Sequence, residues 1–525
     1  MPWRQVDEDM ASEQDHDTVF ELLPHTAPIW ANDWTPPGTL QARAQSHQEK
    51  FLLILRELSR VIVPSFFLPT SENAKEPIRP TAYLDGLRGV AAFVVYTHHV
   101  VYTFTDDGFA YSPERPDWYR LPFLRLLSSG SASVLVFFIV SSYSLSLKPV
   151  RLMRQGRVDA ALSSLQSAAL RRAVRLYAPL IIASSLWLVC INLGAFDATK
   201  AYWEDERLFT GYPEHHPAAP RAFFSMEEYA LGHWLKYIFH ICSTHISYWW
   251  DDGVWSLYDE HAWTIPVEFF ASMTLFITLV AVSPLRSTAR ITVLGGLVML
   301  ALFQDWYELI LFWTGPILVE IGLIYNERQE DALSLGPHWQ RSKQSLRLGS
   351  IAGTFLQGAA LVTALYLLGT PEHDCLLPSS YYSTICYISP PGLRAPWRFW
   401  ASIGAILLVV VAGCSEYLRR LLSGPLCRYL GRISFGLYLV HGLVNHLLGF
   451  AIFHVVFKLI DPDLDGVLYK AVWLIALVMN TVIVVYVADV FTRIVDEPIV
   501  RALRSFEKRI SIIWENSAVS GSCVT

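Results

Sequence analysis

Stretches of predominantly apolar residues, each close to the roughly 20 needed to cross a hydrocarbon layer of about 30 Å as a helix, recur along almost the whole chain. They fall at 84–104, 121–147, 176–196, 263–282, 291–303, 306–325, 351–368, 399–418, 435–457 and 467–491. The fifth is short, and 229–246 is a borderline further one. Backbone polar groups find no water in lipid, so such stretches must be helical. The fold class that follows is an all-α polytopic membrane protein with about ten transmembrane helices. Composition agrees, because 53% hydrophobic and 17% charged residues do not suit the several soluble domains that 525 residues would otherwise make. Forty-one Lys and Arg against 47 Asp and Glu leave no basic excess, which argues against a nucleic-acid partner.

Charge in the connections sets the orientation. Lys148, Arg151, Arg154, Arg157, Arg171, Arg172 and Arg175 lie around the connection between the second and third stretches, and Arg286, Arg341 and Arg419 fall in later even-numbered ones. Odd-numbered connections are acidic or neutral, with Asp106, Asp251 and Asp461. Basic connections stay in the cytoplasm, so both termini are expected there. Cys375 and Cys386 then share a non-cytoplasmic loop where a disulfide could form. Residues 1–80 read as a cytoplasmic segment made of a polar, disordered tail at 1–48 and a helix lying on the membrane surface at 51–68. Residues 81–500 form the membrane domain and 501–525 a second cytoplasmic tail. No cleavable signal opens the chain, so the first span is expected to direct insertion.

An ionisable side chain inside a span costs several kcal/mol unless it faces protein or water, so each is a functional candidate. Asp85 and Arg88 sit at the cytoplasmic mouth of the first stretch, with His98 and His99 deeper. Positions 88, 92, 95 and 99 share one helix face, and eleven residues at 1.5 Å each put His99 about 16 Å beyond Arg88. His98 points away and is assigned to packing. Glu268 enters the fourth stretch without a Lys or Arg nearby in sequence, and His99 is its expected partner, with Glu268 orienting the imidazole. A purely structural Glu268, pinning helices, is the alternative. Arg172 and Arg175 suit a phosphate-bearing ligand, or serve only the charge bias of the loops. Tyr438 and His441 lie within the ninth stretch, and Glu320 is a further buried carboxylate of unassigned purpose. His233, His240, His245 and His261 lack zinc spacing and are read as ordinary polar residues. No phosphate loop, zinc helix of the His-Glu-x-x-His type, or nucleophile elbow is found.

Several motifs in order carry a resemblance: Leu84-Asp85-Gly86-Leu87-Arg88-Gly89 with His99 eleven residues after Arg88, Phe137 to Tyr143, Arg172 with Arg175, Trp263 to Phe270 around Glu268, Leu430 to His441, and Asp496-Glu497-Pro498. From about residue 82 to 501 the chain resembles the acyltransferase 3 family of integral-membrane O-acyltransferases, in its fungal form. Ser142 departs from the family, which usually has Gly there. The resemblance implies transfer of an acyl group, commonly acetyl from acetyl-CoA, to a hydroxyl. His99 would be catalytic with Glu268 in support. Arg88, Arg172 and Arg175 would hold the acyl-CoA co-substrate, and Asp85, Tyr438 and His441 would assist.

General-base attack on the thioester and an acyl-histidine relay both remain open, and neither requires a metal or a permanently bound cofactor. The acceptor is expected to be a hydroxylated small molecule such as a secondary metabolite, with a glycan as the alternative. An endomembrane such as the endoplasmic reticulum is the expected location. A secondary transporter also buries His and Glu in spans, but the internal repeat expected of one is not found.

Overall fold

The computed structural model describes residues 63–67, 79–105, 109–113, 115–196, 231–243, 258–334, 343–460, 466–507 and 509. The expected N-terminal tail, most of the surface helix and the C-terminal tail from 510 on lie outside them. Among the described residues there is no strand, only two isolated bridges, and twelve helices of ten residues or more. In chain order these are α1 (Ala82–Phe104), α2 (Gly130–Arg154), α3 (Val158–Asn192), α4 (Leu231–Ser243), α5 (Thr264–Val282), α6 (Ser287–Phe303), α7 (Tyr307–Ser334), α8 (Lys343–Leu368), α9 (Pro396–Cys414), α10 (Pro425–Val444), α11 (Phe450–Ile460) and α12 (Gly466–Phe491).

Seven helical segments are long and apolar enough to cross a membrane, at Gly130–Arg154, Val158–Asn192, His261–Val282, Tyr307–Glu327, Pro396–Cys414, Pro425–Ile460 and Gly466–Glu507. Helices also occupy the other three expected stretches, as α1 and the shorter apolar Ser287–Phe303 and Ala352–Leu368. Among the described residues of the borderline segment at 229–246 is the 13-residue α4, itself about 20 Å long. The chain is thus an all-helical, polytopic membrane protein.

α1 packs closely against α10, and glycine makes the approach possible. A Cβ on Gly89 would lie 2.3 Å from the Gly431 nitrogen, and one on Gly431 would lie 2.3 Å from the Asp85 carbonyl oxygen. Backbone therefore meets backbone where the first and fifth motifs, Leu84 to Gly89 and Leu430 to His441, cross, as small residues permit between helices in lipid.

Ser142 earns its place differently. Pro316 inside α7 has no N–H, which leaves the carbonyl four residues earlier, on Phe312, without its helical donor. The Ser142 hydroxyl of α2 donates to that carbonyl at 2.5 Å. Packing survives the loss of glycine because the opposing residue is small, since a Cβ on Gly315 would meet Ser142 Oγ at 2.1 Å.

Glu320 is accounted for by structure. Fully buried on α7, it accepts from Arg290 of α6 at 2.6 Å and from Arg154 of α2 at 3.0 Å, tying three helices together.

Candidate active site

Two polar assemblies lie side by side among α1, α2, α3, α5 and α10. The first is a cavity of about 430 Å³ among α1, α2, α3, α5 and α10. Five guanidinium groups line it, on Arg79, Arg88, Arg172, Arg175 and Arg432, against the carboxylates of Asp85, Glu268 and Asp496. Arg172 is buried and fixed. It donates to Glu268 Oε1 at 2.5 Å, to Ser141 Oγ at 3.1 Å and, through Nε, to Ser272 Oγ at 3.1 Å. Ser141 in turn donates to Glu268 Oε1 at 2.6 Å. Arg88 stands 3.7 Å from Asp85, one helical turn earlier, and Arg175 lies near Arg88 and Asp496. The excess of cations in a cleft with apolar walls suits a ligand carrying several phosphates.

The second assembly is a cluster of imidazoles. His99 of α1 packs edge-on against His261, with ring centroids 3.8 Å apart, and lies 5.3 Å from His441 of α10. His261 and His441 are 4.4 Å apart. His261 sits in the tight turn Glu260–Trp263 that leads into α5. Asp259 opens that turn, accepting from the His261 backbone N–H at 3.1 Å and pairing with its ring Nδ1 at 2.8 Å. Burial pushes the Asp259 carboxyl up to about 7. The His261 ring lies against α10 at Gly442, where a Cβ would come within 2.9 Å of it.

Tyr438 belongs to both assemblies. Its ring lines the cavity, its hydroxyl is 2.5 Å from Thr264 Oγ1 in the same wall, and it donates a short hydrogen bond to the His261 carbonyl. His99 itself is not among the cavity-lining residues.

Residues 81–325 match the family described as an acyltransferase domain. The chain is 30% identical over 466 residues to the O-acetyltransferase PaAT-1 of Phomopsis amygdali, covering 85% of this chain and 84% of that protein. The chain belongs to the acyltransferase 3 family. Also similar to this acyltransferase are acyltransferase clz18 of Cochliobolus lunatus and acyltransferase R4 of Phoma sp. (strain ATCC 20986 / MF5453), each 24% identical. Those matches cover 69% and 70% of this chain and 82% of each relative. No solved structure matches it. Family and relatives together make it an integral-membrane O-acyltransferase, which requires an acyl donor and a hydroxyl acceptor.

The residues singled out in the sequence divide between the two assemblies. Asp85, Arg88, Arg172, Arg175, Glu268 and Tyr438 line the cavity of this acyltransferase, and His99 and His441 share the cluster. The expected pairing of Glu268 with His99 is not found. A buried guanidinium needs a counter-charge, and Arg172 reaches Glu268 from 96 positions away in sequence, so the carboxylate faces the cavity. His99 packs instead against His261, which in the sequence reads as an ordinary polar residue. Its signal was present, because His261 precedes Glu268 by seven residues, two helical turns, and follows Asp259 by two. His98 is a packing residue, as expected, with Nδ1 2.7 Å from the Ser128 carbonyl. His233 and His245 lie outside the residues whose side chains are described.

Proposed function

We propose that this acyltransferase transfers acetyl from acetyl-CoA to a hydroxyl of a small molecule, with His99 as the general base. The observation that carries the reading is the juxtaposition, across Tyr438, of a guanidinium-lined cavity and the histidine cluster. The nucleotide phosphates of the donor pair with Arg88, Arg175 and their neighbours, while Glu268 holds Arg172 in register. His99 takes the acceptor proton as the hydroxyl oxygen attacks the thioester carbonyl. The C–S bond then breaks, and the departing CoA thiolate receives the proton from the imidazolium. Asp259 acts through His261, whose ring keeps His99 in place.

The similar protein named an O-acetyltransferase supports acetyl as the transferred group. All three named relatives are fungal, which favours a secondary-metabolite alcohol as acceptor, modified at an endomembrane such as the endoplasmic reticulum. Membranes containing the protein, given labelled acetyl-CoA and a panel of hydroxylated fungal metabolites, should yield a labelled ester extractable into organic solvent. Label recovered only in glycan would contradict the small-molecule acceptor, and accumulation of an unmodified compound inside vesicles would contradict transfer.

A further inference from the structure

His99, His261 and His441, drawn from three separate elements, each offer one ring nitrogen, and these nitrogens all lie within 4.8 Å of one another. Two of the rings are held by their other nitrogen. His441 Nδ1 is 3.0 Å from the Leu437 carbonyl oxygen, which can only accept, so the ring carries its proton there and turns the bare Nε2 lone pair inward. His441 is fully buried, and that Nε2 has no hydrogen-bond partner among the described residues. On His261 the Asp259 carboxylate likewise engages Nδ1, and the ring is one of the three that offer a nitrogen to the cluster. One carbonyl and one carboxylate, each fixing the remote nitrogen of an imidazole whose near nitrogen points at a common centre, is the outer-shell pattern of metal-binding histidines. A single proton between two of the rings would leave the third lone pair unmet, whereas a tetrahedral cation takes all three and keeps one position open.

We infer that His99, His261 and His441 form a binding site for a divalent cation of the zinc class. Three imidazoles and no ligating carboxylate disfavour magnesium and calcium, which take oxygen ligands. Asp259, just outside the ligand set, supplies a counter-charge. The inference goes beyond the acyl-transfer reading and meets it at one atom. A cation in the cluster occupies the lone pair with which His99 accepts the acceptor's proton, so zinc inhibits transfer and a chelator restores it.

Cobalt(II) is the probe, because it fills zinc sites and its visible absorption reports tetrahedral coordination. The full-length protein, purified in detergent and stripped with chelator, should develop that absorption on adding cobalt chloride, saturate at about one ion per chain, and lose it on adding zinc. His441→Ala should not develop it, and Asp259→Asn should weaken cobalt binding by about 10- to 100-fold. The inference is overturned if the wild-type protein gives no such absorption, a result independent of how any variant folds. It is also overturned if the absorption persists in His441→Ala of unchanged size-exclusion profile. Stoichiometric zinc binding without loss of transfer would leave the site standing and remove His99 as the base.

Discussion

Arg172 and Glu268 show how a buried charge is tolerated at the scale of single residues. The guanidinium is largely shut off from solvent, and its hydrogen bonds to Glu268, Ser141 and Ser272 replace the lost hydration. Glu268→Ala removes the counter-charge and leaves the cation uncompensated. The expected loss is roughly 3 kcal/mol, the low end for such a pair because the carboxylate keeps some solvent contact, read as a lowered thermal-unfolding midpoint in detergent. Asp259 is predicted to act through position alone. Asp259→Asn should lower kcat by about 10-fold or more with KM for acetyl-CoA little changed, since Asp259 lies outside the cavity, whereas a purely structural role would lower the amount of folded enzyme instead.

The sequence made the Arg88 to His99 stripe legible, because 3.6-residue periodicity within one apolar run needs no tertiary knowledge. It could not reveal the partner of Glu268, which comes from another helix. It hid His261, which stands just ahead of the apolar run in a turn whose register no periodicity describes.

At the scale of helices, the fold rests on backbone accommodated by neighbouring side chains. Ser142 is the clearest case, because it supplies the donor that Pro316 withholds from the Phe312 carbonyl. Ser142→Ala should cost about 1–3 kcal/mol by leaving that carbonyl without a donor in the interior, and Ser142→Thr, which keeps the hydroxyl, should recover part of it if the added methyl is accommodated. Thermal unfolding of the two variants in the same detergent measures the difference. Ser142 was legible as a small residue at a helix contact. That it mends a proline break was not, because the proline lies 174 residues further on. The α1 and α10 motifs are likewise glycine-bearing for one reason visible only in three dimensions, namely that their backbones touch.

In the whole molecule, hydropathy pointed to ten stretches that all carry helix, seven of them in segments long and apolar enough to span, since each span must satisfy its own backbone. The cavity and the cluster were out of reach, being assembled from helices far apart in sequence. Orientation yields its own prediction. Cys375 and Cys386 are both buried and hydrogen-bonded to each other, a contact that holds the first thiol below and the second above the usual range. If their loop faces the oxidising, non-cytoplasmic side, the two should be recovered as a disulfide-linked peptide pair by mass spectrometry without reduction. Recovery of both as free thiols from freshly alkylated membranes would contradict the orientation in which both termini are cytoplasmic.

In the proposed mechanism an imidazole held against His261 and His441 removes the acceptor proton beside an arginine-lined coenzyme cavity. The most direct test is the single-turnover rate of acetyl transfer by His99→Ala, at matched amounts of folded protein and saturating acetyl-CoA. The rate should fall by about 10²- to 10⁴-fold with acetyl-CoA binding retained. A rate within about twofold of the wild-type protein would contradict it.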